Sequence, residues 1–276
     1  MEKPAAKSPA GTSRLRERAL IWLRRVAIPG VLFFIWYVES ELLELYPTML
    51  IPTPAQVFEV ISEWVLGGRQ FYAGRFFIDF SGSLIREIIA FCLGGVVAIP
   101  AGILSAHYKP VEQLVDTFVQ ILRPIPRTAF LPFAMILFGL GYPPAIFLIS
   151  YATFFVVYIN VFDGVKSVDE ELKRAALMLG ANPRQLLFKV ILPATEPFVF
   201  SGLRVGVGIA WGMVILAEMF ATGNGFGYLL WRGYTFLRMD VVVSNMVFLG
   251  LLGFLFDRII VKISQRRLRW VGELPE

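Results

Sequence analysis

Residues 167–193 read SVDEELKRAALMLGANPRQLLFKVILP. Asp169, Glu170, Glu171, Lys173, Arg174, Arg184 and Lys189 fall inside this stretch, whereas a membrane-spanning helix needs about 20 mostly apolar residues. The segment therefore lies in water. Its spacing predicts two short helices about a glycine. Ser167 and Glu170 make a capping box that opens the first, each side chain satisfying an amide that the first helical turn leaves unpaired. Val168, Leu172, Ala175, Ala176 and Leu179 form its apolar face, and Gly180 supplies the left-handed residue that ends it. Asn182 as N-cap, Pro183 at the first helical position and Gln185 three residues on open the second helix, whose apolar face is Leu186, Leu187, Val190 and Ile191. Leu192-Pro193 is expected to close the unit.

Around this stretch the chain is apolar: 57% of its 276 residues are hydrophobic, with a mean hydropathy of +0.66. Average soluble domains are about half apolar on a count that includes glycine, so this is a membrane chain. Residues 1–13 read as a disordered tail and 14–276 as one six-span unit. The spans predicted are 26–46, 84–106, a third broken at Pro124, Pro126 and Pro132, then 144–162, 197–220 and 241–263. Thr53, Pro54 and Gln56 open an amphipathic helix through Val57, Ile61 and Trp64. Gly202, Gly206, Gly208 and Gly212 form two interleaved small-xxx-small patterns suited to helix packing.

The net charge of +5 first suggests nucleic acid, but the placement of the cations decides otherwise. With both termini on the side of residues 167–193, that side receives seventeen Lys/Arg and the other four, namely Arg69, Arg75, Arg232 and Arg238. By the positive-inside rule the charged segment and both termini are cytoplasmic, and the basic residues are explained by topology. Cys92 is the single cysteine, which excludes an intrachain disulfide. His107 is the single histidine, which leaves no nucleophile–base set. No Gly-Lys pair occurs, so a Walker phosphate loop is missing. The chain reads as a non-enzyme that binds no cofactor or metal.

Intramembrane charges mark the remaining candidates, since each costs about 2.5–3.5 kcal/mol on insertion scales and must face a cavity or a partner. Arg123 and Arg127 in the broken span read as a cationic lining for an anion, as structural pairs with Glu112, Asp116 or another buried carboxylate, or as side chains that snorkel towards the cytoplasm. Asp116 and Gln120 share a helical stripe with Glu112. Glu218 reads either as a pair with Arg204 or Arg232 or as part of an outer gate.

The charged stretch resembles the loop of ABC-importer permeases, whose pattern is Glu-Ala-Ala, three residues, Gly, nine residues, Ile, one residue, Leu-Pro. Here it reads Arg174-Ala175-Ala176, Gly180, Val190, Leu192-Pro193. The spacing is kept, and Arg174 and Val190 depart from the pattern. Leu122–Pro132, Ser167–Leu172, Ser201–Met219 and Gly225–Leu229 are similar to the nitrate/sulfonate/taurine/bicarbonate group. The resemblance implies an all-α membrane protein of six transmembrane helices, the type I ABC importer transmembrane domain, in the bacterial inner membrane. It further implies a homodimer with a second permease copy, two cytoplasmic ATPase subunits carrying ATP and Mg, and an extracytoplasmic substrate-binding protein. On this reading Glu171, Arg174, Ala175, Ala176, Gly180, Ala181 and Arg184 couple to the ATPase. The pathway would carry a small anion past Arg123, Arg127, Asp116, Gln120 and Glu218. The alternatives are an ion-gradient-driven secondary transporter, or the same ABC role for an aromatic acid or vitamin precursor.

Overall fold

A computed structural model describes residues 27–269, and all regular structure among them is helical. The proposed tail and the basic flank at Arg14–Arg25 lie outside the described residues. Helix α1 covers residues 27–42 of the first predicted span and ends in a π turn, Val38–Leu42, so that residues 43–46 of that span are not helical. Helix α2, Pro54–Leu66, begins with the predicted capping box, the Gln56 amide donating to Thr53 at 3.3 Å and the Thr53 amide to Gln56 at 3.1 Å. It buries Val57, Val60 and Trp64.

Helix α3 spans Phe76–His107, 32 residues, or roughly 48 Å at 1.5 Å per residue, well beyond the roughly 30 Å hydrocarbon core. The broken span follows as α4, Lys109–Leu122, and α5, Arg127–Phe138, bent by 83°. The bend falls at Pro124-Ile125-Pro126, where two residues lack amides and their rings exclude the preceding turn from α geometry. Helix α6, Tyr142–Lys166, then leads to the charged loop with α7, Glu170–Met178. Helix α8, Pro183–Ala221, crosses back; α9, Phe226–Thr235, is a short return, and α10, Met239–Arg267, ends the described bundle. Helices α3, α6, α8 and α10 are long and apolar enough to span, and the bent α4–α5 pair passes the same test as one broken span or a re-entrant loop; against the six spans expected, α1 is too short to pass among the described residues.

Helix α6 is the centre, packed between α3 and α8, because glycines on both neighbours let it approach closely. A Cβ added at Gly94 of α3 would lie 2.7 Å from the Ser150 carbonyl oxygen and 2.8 Å from Thr153 Cβ. One at Gly202 of α8 would lie 2.8 Å from Asn160 Cβ. Gly206 also faces α6, while Gly208 and Gly212 have open space around them. Among the described residues only the first of the two interleaved patterns is thus a packing face. Overpacking of a filled core costs about 1–3 kcal/mol. A Gly94→Ala substitution is expected to lose that amount, read as a lowered unfolding midpoint in detergent, whereas Gly208→Ala leaves the midpoint within error.

Candidate functional site

The charged loop is built from its caps upward. Ser167 closes α6: its amide donates to the Asp163 carbonyl at 2.9 Å and its hydroxyl to the Gly164 carbonyl at 2.8 Å. The expected Ser167–Glu170 capping box is therefore absent. Asp169 caps α7 instead, accepting from the Glu171 amide at 2.8 Å. The reason is positional, since the hydroxyl is already committed to the helix that ends there, and Asp169, two residues on, reaches the new turn. Glu170 is left to accept from Lys173 at 2.9 Å. That hydrogen bond, with the charge of the ammonium, holds its carboxyl below the usual range.

The end of α7 follows the expectation. Gly180 has φ +81°, its amide donates to Leu177 at 3.0 Å, and the Ala181 amide donates to Ala176 at 3.1 Å. This is the paired 5→2 and 6→1 closure of a Schellman turn, which needs a residue free to adopt positive φ. Asn182 and Gln185 then exchange bonds at 2.8 and 2.9 Å. Leu192-Pro193 does not end the second helix as expected. A π turn, Leu187–Ile191, closed by the Leu192 amide on the Leu187 carbonyl, widens the ladder just before Pro193. The helix then continues to Ala221, because the wider turn relieves the clash a proline ring makes four residues back.

Val165, Val168 and Ile191 anchor the loop on the ends of α6 and α8. Beyond that anchor the apolar residues point outward: Met178 is 87% and Leu179 89% exposed, and Leu172, Leu177 and Phe188 are exposed as well. Glu171, Arg174, Ala175, Gly180 and Arg184 are exposed, and Ala176 and Ala181 are half-buried. Glu171, Arg174 and Arg184 make no ion pair among the described residues. The seven residues assigned to coupling thus share one protrusion, with an apolar tip that nothing among the described residues covers. Sequence reading missed that tip, having grouped Leu172 and Leu179 with Val168 on one apolar helical face.

Arg123 caps α4 and Arg127 opens a 3-10 turn, Arg127–Ala129, so the two flank the bend. Neither forms an ion pair among the described residues. The structural pairing considered for them is not made, because its carboxylates are engaged elsewhere. Glu112 takes Lys166 at 2.9 Å, and Asp116 faces the Tyr158 hydroxyl at 3.5 Å. Gln120 is exposed, so the stripe divides. Beside the bend, Ile125, Ala129, Phe130 and Phe133 line an open, apolar cavity of about 270 Å³.

Glu218 lies three residues before the end of α8 and is wholly buried. It pairs with neither expected arginine: Arg204 binds Asp257 at 2.6 Å, and Arg232 sits over the rings of Phe71, Tyr228 and Phe236. Its partner is Arg86 of α3, also fully buried. Glu218 also accepts from the Ser83 hydroxyl at 2.8 Å and the Gly227 amide at 3.0 Å. Arg86 donates to the carbonyl and side chain of Asn224 and lies over the Tyr142 ring at 4.4 Å. Asp79 accepts from the Gly225 amide at 3.0 Å and from the Trp64 indole at 3.2 Å, and the Phe226 amide donates to Ser83 at 3.0 Å. Arg86 Nε and both Glu87 carboxylate oxygens are buried without a partner among the described residues. Sequence reading overlooked this α3 set, although Arg86-Glu87 inside LIREIIAF is itself a pair of charges in a span, on one helical face with Asp79 and Ser83.

The chain was compared with known proteins. A family model described as "Binding-protein-dependent transport system inner membrane component" matches residues 98–270. A putative ABC transporter permease protein of Methanocaldococcus jannaschii is 39% identical, over 89% of this chain and 91% of its own length. The taurine transport system permease protein TauC of Escherichia coli K12 is 31% identical over 95% of this chain and 97% of its own. The nitrate import permease protein NrtB of Synechocystis is 30% identical over 92% and 95%. Among solved structures, a chain described under inward-facing conformations of the MetNI methionine ABC transporter superposes with a TM-score of 0.62. It is 21% identical and is covered over 95% of its length by 70% of this chain.

Proposed function

Since the chain belongs to the family of binding-protein-dependent transport system inner membrane components, the non-catalytic permease subunits of ABC importers, we propose that it pairs with a second copy to form the pathway for a small oxyanion or sulfonate. Two ATPase subunits, which bind ATP and Mg, take the 167–193 loops from the cytoplasm, where both termini also lie. A substrate-binding protein delivers the solute on the other side. The observation that carries this reading is the apolar tip at Met178-Leu179, held out on a twice-capped turn. An exposed apolar patch rimmed by charge marks a protein interface.

Arg123 and Arg127 give the anion reading its chemistry. Both are uncommitted to any carboxylate among the described residues, and both flank a proline-made bend beside an open cavity. Named relatives carrying taurine and nitrate support a small anion as the solute. In this reading Arg174, standing where the pattern has glutamate, meets an acidic residue of the ATPase. Uptake of radiolabelled taurine and nitrate by cells producing the complete importer tests the pathway role. Arg123→Gln and Arg127→Gln are each expected to reduce it at least tenfold at unchanged membrane abundance, and uptake equal to the parent would remove both residues from the pathway.

A further inference from the structure

We infer that Arg86 is a positioning residue whose buried cage ties the ends of α3, α6, α8 and α9 into one rigid cap, so that a push on the charged loop moves this cap whole and the bend between α4 and α5 yields. The inference rests on the permease reading and adds a path by which the loop acts on the opposite end of the bundle.

The geometry is a closed frame. The charged loop joins α6 to α8 at one end, between Lys166 and Pro183. At the other end Arg86 touches the Tyr142 ring at the start of α6, the Glu218 carboxylate near the end of α8 and Asn224 ahead of α9. The Gly141 amide adds a bond to the Ala221 carbonyl at 2.6 Å, directly between the start of α6 and the end of α8. Two helices fixed at both ends cannot splay when one end is pushed.

Helix α9 is fixed to the same frame. Connecting segments ordinarily run over the surface and are the most mobile parts of a fold. Here three successive amides that a helix start leaves unpaired, Gly225, Phe226 and Gly227, are taken by Asp79, Ser83 and Glu218 from two other helices. At Gly227 a Cβ would stand 2.8 Å from Glu218 Cβ and 3.0 Å from the Ile215 carbonyl carbon, so backbone packs on backbone. Movement of α9 would break these bonds together and strand a buried charge.

Residues 117–138 are held differently. Among the described residues no side chain in this stretch makes a hydrogen bond or ion pair to another element; the polar ties of α4 are those of Glu112 and Asp116, near the loop. The stretch is bent by 83° at its middle and followed by Gly139 at φ +75°, ahead of the cap bond made by Gly141. An apolar seat without directional side-chain bonds, containing a proline bend and ending at a glycine, is where hinge and shear displacement is least opposed.

Hydrogen–deuterium exchange on the complex assembled with its ATPase, with and without ATP plus vanadate, tests this. In the unaltered complex, residues 222–235 are expected to exchange alike in both states, while 117–139 changes at least tenfold. Ser83→Ala removes the acceptor of the Phe226 amide and a donor to Glu218 without leaving a charge unpaired, and Asn224→Ala, which removes a side-chain acceptor of Arg86 and leaves its ion pair in place, provides a second variant. In both, the nucleotide response of 117–139 is expected to fall at least fivefold while ATP hydrolysis per assembled complex stays within twofold. A tenfold nucleotide response within 222–235, or variants that keep the response of 117–139, or hydrolysis that falls with the yield of complex, overturns the cap. Absence of any nucleotide response in the unaltered complex would contradict the permease–ATPase reading on which it rests.

Discussion

Replacing Arg86 by leucine is expected to destabilise the protein by about 3–5 kcal/mol, the range for removing one partner of a buried ion pair. Arg86 and Glu218 are both fully buried, so the single change leaves the carboxylate facing only the Ser83 hydroxyl and the Gly227 amide. Glu218→Leu is expected to cost a similar amount for the converse reason. The double variant Arg86→Leu with Glu218→Leu should lose far less than the sum, since no uncompensated charge remains and apolar replacements of a buried pair are often close to neutral. Unfolding midpoints of the three variants in detergent complete the cycle. Additive losses would mean that the two groups do not stabilise one another.

The second large effect lies at the loop tip. Met178→Glu or Leu179→Glu is expected to weaken association with the ATPase at least 30-fold, because an apolar anchor at the centre of an interface is worth about 2 kcal/mol or more. Neither change should harm the fold of the chain, as both side chains are almost fully exposed and Val165, Val168 and Ile191 carry the loop's attachment. Association is read by recovery of the ATPase with the tagged permease at graded concentration. Gly180→Val is expected to act differently: it forces a β-branched residue to φ +81°, which favours another turn and misplaces the second helix.

Much of this was legible in advance where local chemistry decides the outcome. The Asn182–Gln185 and Thr53–Gln56 boxes and the Gly180 turn follow from residue type at fixed spacing. The proline-broken span follows because Pro124 and Pro126 forbid a continuous ladder. Ser167 was misread because two helices compete for one hydroxyl, and the tie is settled by the helix that ends there. Pro193 was misread because a π turn upstream removes the clash that normally makes proline a stop. The partner of Glu218 was out of reach of local reasoning: Ser83 and Arg86 each lie more than 130 residues from Glu218 in sequence, and only the packing of α3 against α8 brings them together.

The central claim, that residues 167–193 engage a cytoplasmic ATPase, is tested most directly by cross-linking in intact membranes. With Cys92 replaced by serine, a cysteine at Leu179 is treated with a short bismaleimide in membranes holding the whole importer, alongside a cysteine at Phe58 of α2, which is also exposed. The account predicts a permease–ATPase adduct from Leu179→Cys and none from Phe58→Cys. An adduct missing at Leu179, or formed equally from Phe58, would contradict it.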